Sequence, residues 1–203
     1  MSSGIDIEYV QKTYERMTDD ELIHVATQDA YGLTPEAMEV VKTEIKKRGL
    51  DENIAKGVEA QNKIHSIEEI DAYCDVLSKL SCPICGSATE RLNGTMTGEV
   101  MSFVFFTWYK KKVKVGCPHC LDKANENALI TTAVLGWWGF PWGLVRTPQA
   151  ILLNIKSKRT NHAYEHNKYL RTFVLSIIGE LETYKEDKER LSKIIARQND
   201  LQL

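Results

Sequence analysis

Two Cys-Pro-X-Cys turns constrain this chain more than anything else in it. Cys82-Pro83-Ile84-Cys85-Gly86 returns, after 31 intervening residues, as Cys117-Pro118-His119-Cys120. A Cys-X-X-Cys turn offers two sulfurs from one tight loop whose N–H groups face them. Two such turns supply the four thiolates that a tetrahedral ion such as zinc favours. Proline in second place and Gly86 behind the first pair suit the turn. The gap exceeds the usual ~15–20 residues of this pattern, which calls for a longer strand pair between the turns. An iron–sulfur cluster is the alternative use of the same four residues. Cys74 lies outside the pattern and reads as a helix-face thiol. His119 reads as a neighbour of the ligands, since it joins them only by displacing a cysteine. Each pair has a natural partner in the other, which disfavours a redox disulfide. Four protein ligands leave no open metal position, which disfavours metal-ion catalysis.

The paired turns resemble the zinc ribbon family over roughly residues 80–122. The resemblance implies a structural Zn²⁺ held by Cys82, Cys85, Cys117 and Cys120, with β-strands between the knuckles. A wider similarity, over residues 82–155, is to a group of bacterial proteins in which the knuckles are followed by a Gly-Trp-Trp-Gly-X-Pro-Trp-Gly segment; it implies no established activity. Zinc-ribbon membrane domains such as the lipopolysaccharide-induced tumour-necrosis-factor-regulator domain are similar only loosely. Their apolar helix lies between the knuckles, whereas here it follows the second.

Between the turns, residues 100–115 are rich in Val, Phe, Trp, Tyr and Thr, which favours strands. Asn93-Gly94 reads as a hairpin turn, and Lys110-Lys111-Lys112 as a turn or a solvated edge. The first 80 residues read instead as three or four short amphipathic helices. A mixed segment over 5–17 precedes a capping box at Thr18-Asp19-Asp20-Glu21. Thr34-Pro35 opens a helix that runs to Arg48 and ends before Gly49, and Asp51 caps the next. Ser66 to Glu69 opens a fourth. His24 and His65 are isolated and read as surface or core-edge residues.

Charge is distributed unevenly. Residues 1–81 carry net -8, residues 82–160 net +6 and residues 161–203 net zero. The basic part is the one that holds the paired cysteines and the tryptophans. Asn127 to Val145 contains no charged residue, a length within the ~17–25 that spans a bilayer. Gly136, Gly139, Gly143 and Pro141 argue against one straight helix. A hairpin is expected: a helix from about Asn125 to Leu135, a turn over 136–143, and a helix from Pro148 to Asn154. Basic flanks on both sides favour placing both ends on the cytoplasmic face. Trp137, Trp138, Phe140 and Trp142 then either insert shallowly at headgroup level, contact a protein partner, or fill a core against the C-terminal helix.

The expected fold class is α+β, with a helical module over 1–80, a zinc ribbon over 81–124, an apolar hairpin with basic flank over 125–160 and a C-terminal helical segment over 161–203. Within the last, the charge-rich stretch 180–198 reads as a protruding helix able to pair with a second copy. The first residues show no basic run followed by an apolar one, so a cytoplasmic location is expected, at the cytoplasmic face of a membrane if the hairpin inserts. No nucleophile elbow, phosphate-binding glycine loop or open metal site is present, and no catalytic residue is assigned. The expected role is a non-enzymatic zinc-ribbon adaptor attached to a protein partner or an anionic membrane surface. The competing role is nucleic-acid binding by Lys110, Lys111, Lys112 and Lys114 beside the aromatic strand residues.

Overall fold

The computed structural model describes residues 7–201, with the side chain of Leu201 left aside; Ile5, at the head of the first expected segment, lies outside the described residues. The class is α+β, helices accompanied by one two-stranded antiparallel sheet. Two compact units form, and they are not consecutive in the chain. Residues up to 67 join 176–188, and residues 68–175 join those from 189 onward.

The first unit contains α1 (Ile7–Arg16), α2 (Asp19–Gln28), α3 (Pro35–Lys47), α4 (Glu52–Asn62) and α9 (Ile178–Tyr184). Its boundaries are set by local chemistry. The Thr18 hydroxyl accepts from the Glu21 N–H while the Glu21 carboxylate accepts from the Thr18 N–H, closing a capping box. Thr34 caps α3 with Pro35 in its first turn, and Gly49 just past its end sits at φ +66°. Tyr14, Leu22, Ala26, Val41, Ile45 and Val58 meet in the core. Arg48 joins three of the helices, pairing with Glu44 and Asp19 and donating to the carbonyls of Tyr14, Glu15 and Met17. Gly57 and Gly179 let α4 and α9 approach closely: a Cβ on Gly57 would stand 2.9 Å from the Gly179 carbonyl oxygen.

The stretch 180–198 is therefore not one helix. It breaks after Tyr184, and its halves serve different units: Leu181 is buried in the first, while Leu191, Ile194 and Ile195 of α10 (Lys188–Leu201) are buried in the second.

The second unit holds α5 (Ile67–Ser78), β1 (Asn93–Phe103), β2 (Phe106–Gly116), α6 (Pro118–Leu135), α7 (Trp142–Lys158), α8 (Lys168–Ser176) and α10. The strands pair in register from Asn93↔Gly116 to Phe103↔Phe106. Three expectations are corrected here. Asn93-Gly94 is no turn but the start of β1, because Gly94 is needed for close packing: a Cβ there would stand 2.4 Å from the Leu170 backbone nitrogen of α8. The turn is Val104-Phe105, and the three lysines lie within β2. The second helix of the apolar hairpin begins at Trp142, so Pro148 sits inside it.

A two-stranded sheet has two open edges, and unpaired backbone groups must find partners elsewhere. Side chains supply them. On the outer edge of β1, Asn167 donates to the Gly94 carbonyl and Asn125 to that of Met96. Gly98 donates its N–H to Asn154 Oδ1 at 3.1 Å, and its carbonyl accepts from Asn154 Nδ2 at 2.7 Å and from the Thr132 hydroxyl. The Val100 N–H donates to the same hydroxyl. On β2, Asn199 both accepts from and donates to Val115. Amide and hydroxyl side chains of α6 and α7 thus stand where a third strand would lie. Because Gly94 touches backbone that cannot yield, Gly94→Ala is expected to lower unfolding free energy by about 2–3 kcal/mol in a denaturant titration. An unchanged midpoint would refute that packing argument.

Candidate metal centre and exposed aromatic cluster

The four cysteines of the two turns converge. Their sulfurs all lie within 4.8 Å of one another, and none is in a disulfide. Cys85 Sγ and Cys117 Sγ are 3.7 Å apart. That matches the edge of about 3.8 Å in a tetrahedron of sulfurs each ~2.3 Å from a central ion. By both donor set and spacing the four cysteines could hold a metal ion.

The chain builds it from two kinds of local structure. The first turn closes through the Gly86 N–H to the Cys82 carbonyl at 2.8 Å and the Cys82 N–H to the Ser87 carbonyl at 2.7 Å, with Gly86 at φ +75°, where a Cβ would be strained. The second pair is the start of a helix: Cys117 is the N-cap of α6 and Pro118 its first residue. The Cys117 N–H donates to Cys82 Sγ. Burial raises the Cys82 thiol, but backbone N–H groups of Cys117, Cys85 and Ile84 together outweigh it and bring the group down to about 7. Burial pushes Cys120 and Cys117 upward. A cation among the four sulfurs would reverse that cost by stabilising all the thiolates. His119 is exposed and not part of the cluster. Cys74 is fully buried on α5, and burial holds its thiol up at about 12, the behaviour of a packing residue.

At the other end of the strands the apolar residues are on the outside. Phe103, Val104, Phe105, Phe106 and Trp108 are exposed at the hairpin tip, and Trp137, Trp138 and Phe140 between α6 and α7, with Trp142 at the start of α7, are exposed too. Phe105 is 80%, Phe140 73% and Trp138 70% accessible, so these rings fill no core. The two groups are contiguous. Val104 bridges to Gly139, and the Phe140 N–H donates to the Val104 carbonyl. Gly139 and Gly143 allow this, since a Cβ on either would meet Ser102 at 2.8–3.4 Å, and on Gly139 also the Thr107 hydroxyl at 2.5 Å.

The inward faces of the same helices are small or polar. On α6 the buried positions include Asn125, Ala128 and Thr132; on α7 they are Gly143, Thr147, Ala150, Asn154 and Ser157. These follow i, i+3/i+4, i+7 spacing, a helical stripe written in polar residues. That spacing was the available signal for the edge-satisfying side chains, and a search for apolar stripes passes over it. Outward positions include Ile130, Val134, Leu135, Leu144, Val145 and Leu152, alongside the exposed Lys123, Glu126, Arg146, Gln149 and Lys156. The lysines of β2 do not form one surface. Lys110, Lys112 and Lys114 alternate with Lys111 along the strand, and Lys112 is buried.

Comparison with family models, with curated proteins and with solved structures returned no match. Among the described residues no helix is long and apolar enough to cross a membrane.

Proposed function

We propose that this chain is a non-enzymatic adaptor whose second unit is held together by a structural zinc ion and seats its aromatic cluster in the interfacial layer of an anionic membrane surface. The inverted arrangement of α6, β1 and α7 carries this reading. Much of their contact surface is small or hydrogen-bonded, and their outer surface toward the hairpin tip is largely aromatic and aliphatic. Water rewards the opposite arrangement. In lipid, backbone edges must be satisfied internally, helices meet through small residues, and polar side chains bind helices together.

The hairpin tip supports the reading. A two-residue turn in water is usually Asn-Gly or a similar pair that tolerates positive φ. Here it is Val104-Phe105, with the β-branched Val104 at φ +49°, a conformation costing roughly 1–2 kcal/mol. Transfer of the tip into an apolar phase would offset that strain. Tryptophans prefer headgroup depth, so the insertion is shallow, consistent with helices too short or too polar to span. Zinc is favoured over other ions by the four-thiolate set, and with four protein ligands its role is to staple the turns together. The remaining surfaces of both units are then free to engage a protein.

The test is flotation of the purified, metal-loaded full chain with phosphatidylcholine vesicles containing phosphatidylglycerol. Wild type is expected to float and its tryptophan emission to shift to the blue. Phe105→Ser combined with Trp138→Ser should reduce partitioning on the order of 100-fold, taking about 1.5 kcal/mol for each ring withdrawn from lipid. A monodisperse protein that floats with no vesicle would overturn the membrane reading. Salt-sensitive binding to single-stranded or duplex nucleic acid in that same sample would put the basic strand in its place.

A further inference from the structure

Arg146 is the only charged residue between Asn127 and Ile155. It interrupts an otherwise uncharged stretch, and neither the metal centre nor the aromatic cluster accounts for it. Its guanidinium carbon lies 5.7 Å from the centroid of the Tyr109 ring, and Lys111 Nζ lies 5.2 Å from the same centroid. Two cations are therefore gathered on one aromatic ring. Neither has a carboxylate partner among the described residues; Arg146 bonds only to the Gln149 side-chain oxygen. Both cations line a cleft of about 530 Å³, together with Thr107, Tyr109 and Trp142. Trp142 also belongs to the exposed aromatic cluster, so the cleft lies at its border.

The geometry points to this cleft as a binding site for the phosphate of an anionic phospholipid headgroup, a conclusion that rests on the membrane reading above. A guanidinium fork and an ammonium facing one space match a phosphodiester, which accepts charge-assisted hydrogen bonds from both. Like charges lining one cleft without a counter-ion repel, and an anion bound in it removes that cost. The rings of Tyr109 and Trp142 suit the boundary layer, with one side against acyl chains and the other against headgroups. Arg146 sits one turn inside α7 from Trp142, at the depth where a cation needs an anionic lipid or must extend toward water. Lys111, two residues along the strand from Tyr109, reaches the same level from β2.

The test compares the metal-loaded full chain on three vesicle types: phosphatidylcholine alone, and phosphatidylcholine made equally anionic with either phosphatidylglycerol or oleate. Wild type is expected to favour phosphatidylglycerol over oleate by about tenfold, because a phosphate-shaped site distinguishes what a diffuse field does not. In Arg146→Gln with Lys111→Gln the ratio should fall to about one, while floating on neutral vesicles and metal content persist. Lys156→Gln with Arg159→Gln removes equal charge about 15 Å or more along the helix from Arg146 and should keep the ratio. Equal wild-type binding to both anionic vesicles, or an unchanged ratio in the Arg146/Lys111 variant, overturns the headgroup site and leaves the membrane reading standing. No floating on any vesicle overturns the membrane reading itself. Calorimetry with inorganic phosphate is expected to show no binding at millimolar concentration. Saturable binding there that also displaces the protein from phosphatidylglycerol vesicles would make this a soluble-phosphate site instead.

Discussion

Cys117→Ser protein is expected to carry no tightly bound metal and to lose the cooperative unfolding of the second unit. Cys117 has three roles in the structure. It contributes a sulfur 3.7 Å from that of Cys85, donates its N–H to Cys82 Sγ, and stands at the N-cap position of α6, where its side chain makes no capping hydrogen bond. Serine keeps the N–H and is itself a good N-cap residue but a poor zinc ligand, so any loss of stability reports the missing metal ligand rather than a weakened helix start. With zinc bound, the metal's contribution would be large. Structural zinc in four-ligand sites supplies roughly 10–16 kcal/mol of apparent binding free energy, against a total domain stability of about 5–15 kcal/mol. A hairpin by itself is marginal in water. The measurements are metal per chain and thermal melting followed by circular dichroism, each with and without a strong chelator. Wild type should lose its transition with chelator, and Cys117→Ser should resemble chelated wild type from the start. Cys74→Ser is the control. Cys74 is fully buried and distinct from the cluster, so that variant should keep one metal per chain despite some loss of stability. Retention of metal and of the wild-type transition by Cys117→Ser would end the four-thiolate assignment.

The second large effect concerns the polar interior. Asn154→Leu is close to isosteric and makes a fully buried position apolar, which in an ordinary core is neutral or stabilising. Here it should cost about 3–5 kcal/mol. Asn154 accepts from the Gly98 N–H, donates to the Gly98 and Ala150 carbonyls, and accepts from Asn125 Nδ2. Leucine leaves the Gly98 N–H without a partner in a groove that water does not reach, and each buried orphan costs about 1–3 kcal/mol. The reciprocal change, Leu152→Asn, alters a neighbouring outward residue and should move stability in detergent-free buffer by less than about 0.5 kcal/mol, although it would weaken vesicle binding. Urea titrations of the two variants decide the matter together. If Asn154→Leu stabilises and Leu152→Asn destabilises, the inside of this unit is conventional and the inverted arrangement is wrong.

Both predictions turn on side chains whose types are plain in the chain but whose neighbours are not. Asn125 and Thr132 on α6, and Thr147, Asn154 and Asn161 on and just beyond α7, are each spaced seven residues apart, but polar residues at helical spacing ordinarily mark a solvated face. Only the position of β1 against α6 and α7 turns that face inward. Asn93-Gly94 has the residues of a hairpin turn and is instead a strand start, since the backbone of α8 lies where a Cβ would be. Pro148 has the look of a first helical residue and lies inside α7, whose start at Trp142 is fixed by the close approach of Gly143 to Gly136 and Ser102. The charge-rich C-terminal stretch gives no local sign that its first half belongs with α4.

The amino-acid order alone determined whatever depends on near neighbours. The capping residues of α2, α3 and α4, the left-handed glycine after α3, the α+β class and the four metal-ligand candidates all follow from short-range hydrogen bonding or from spacing within a turn. The tertiary structure decided what depends on which surfaces meet. It brought two turns 31 residues apart into one cluster, divided the chain into units that are not consecutive, and gave Asn and Thr side chains the place of a missing strand. It also left the tryptophans outside. The physical reason is that burial and hydrogen-bond satisfaction are properties of pairs distant in the chain, whereas caps and knuckles are complete within four or five residues.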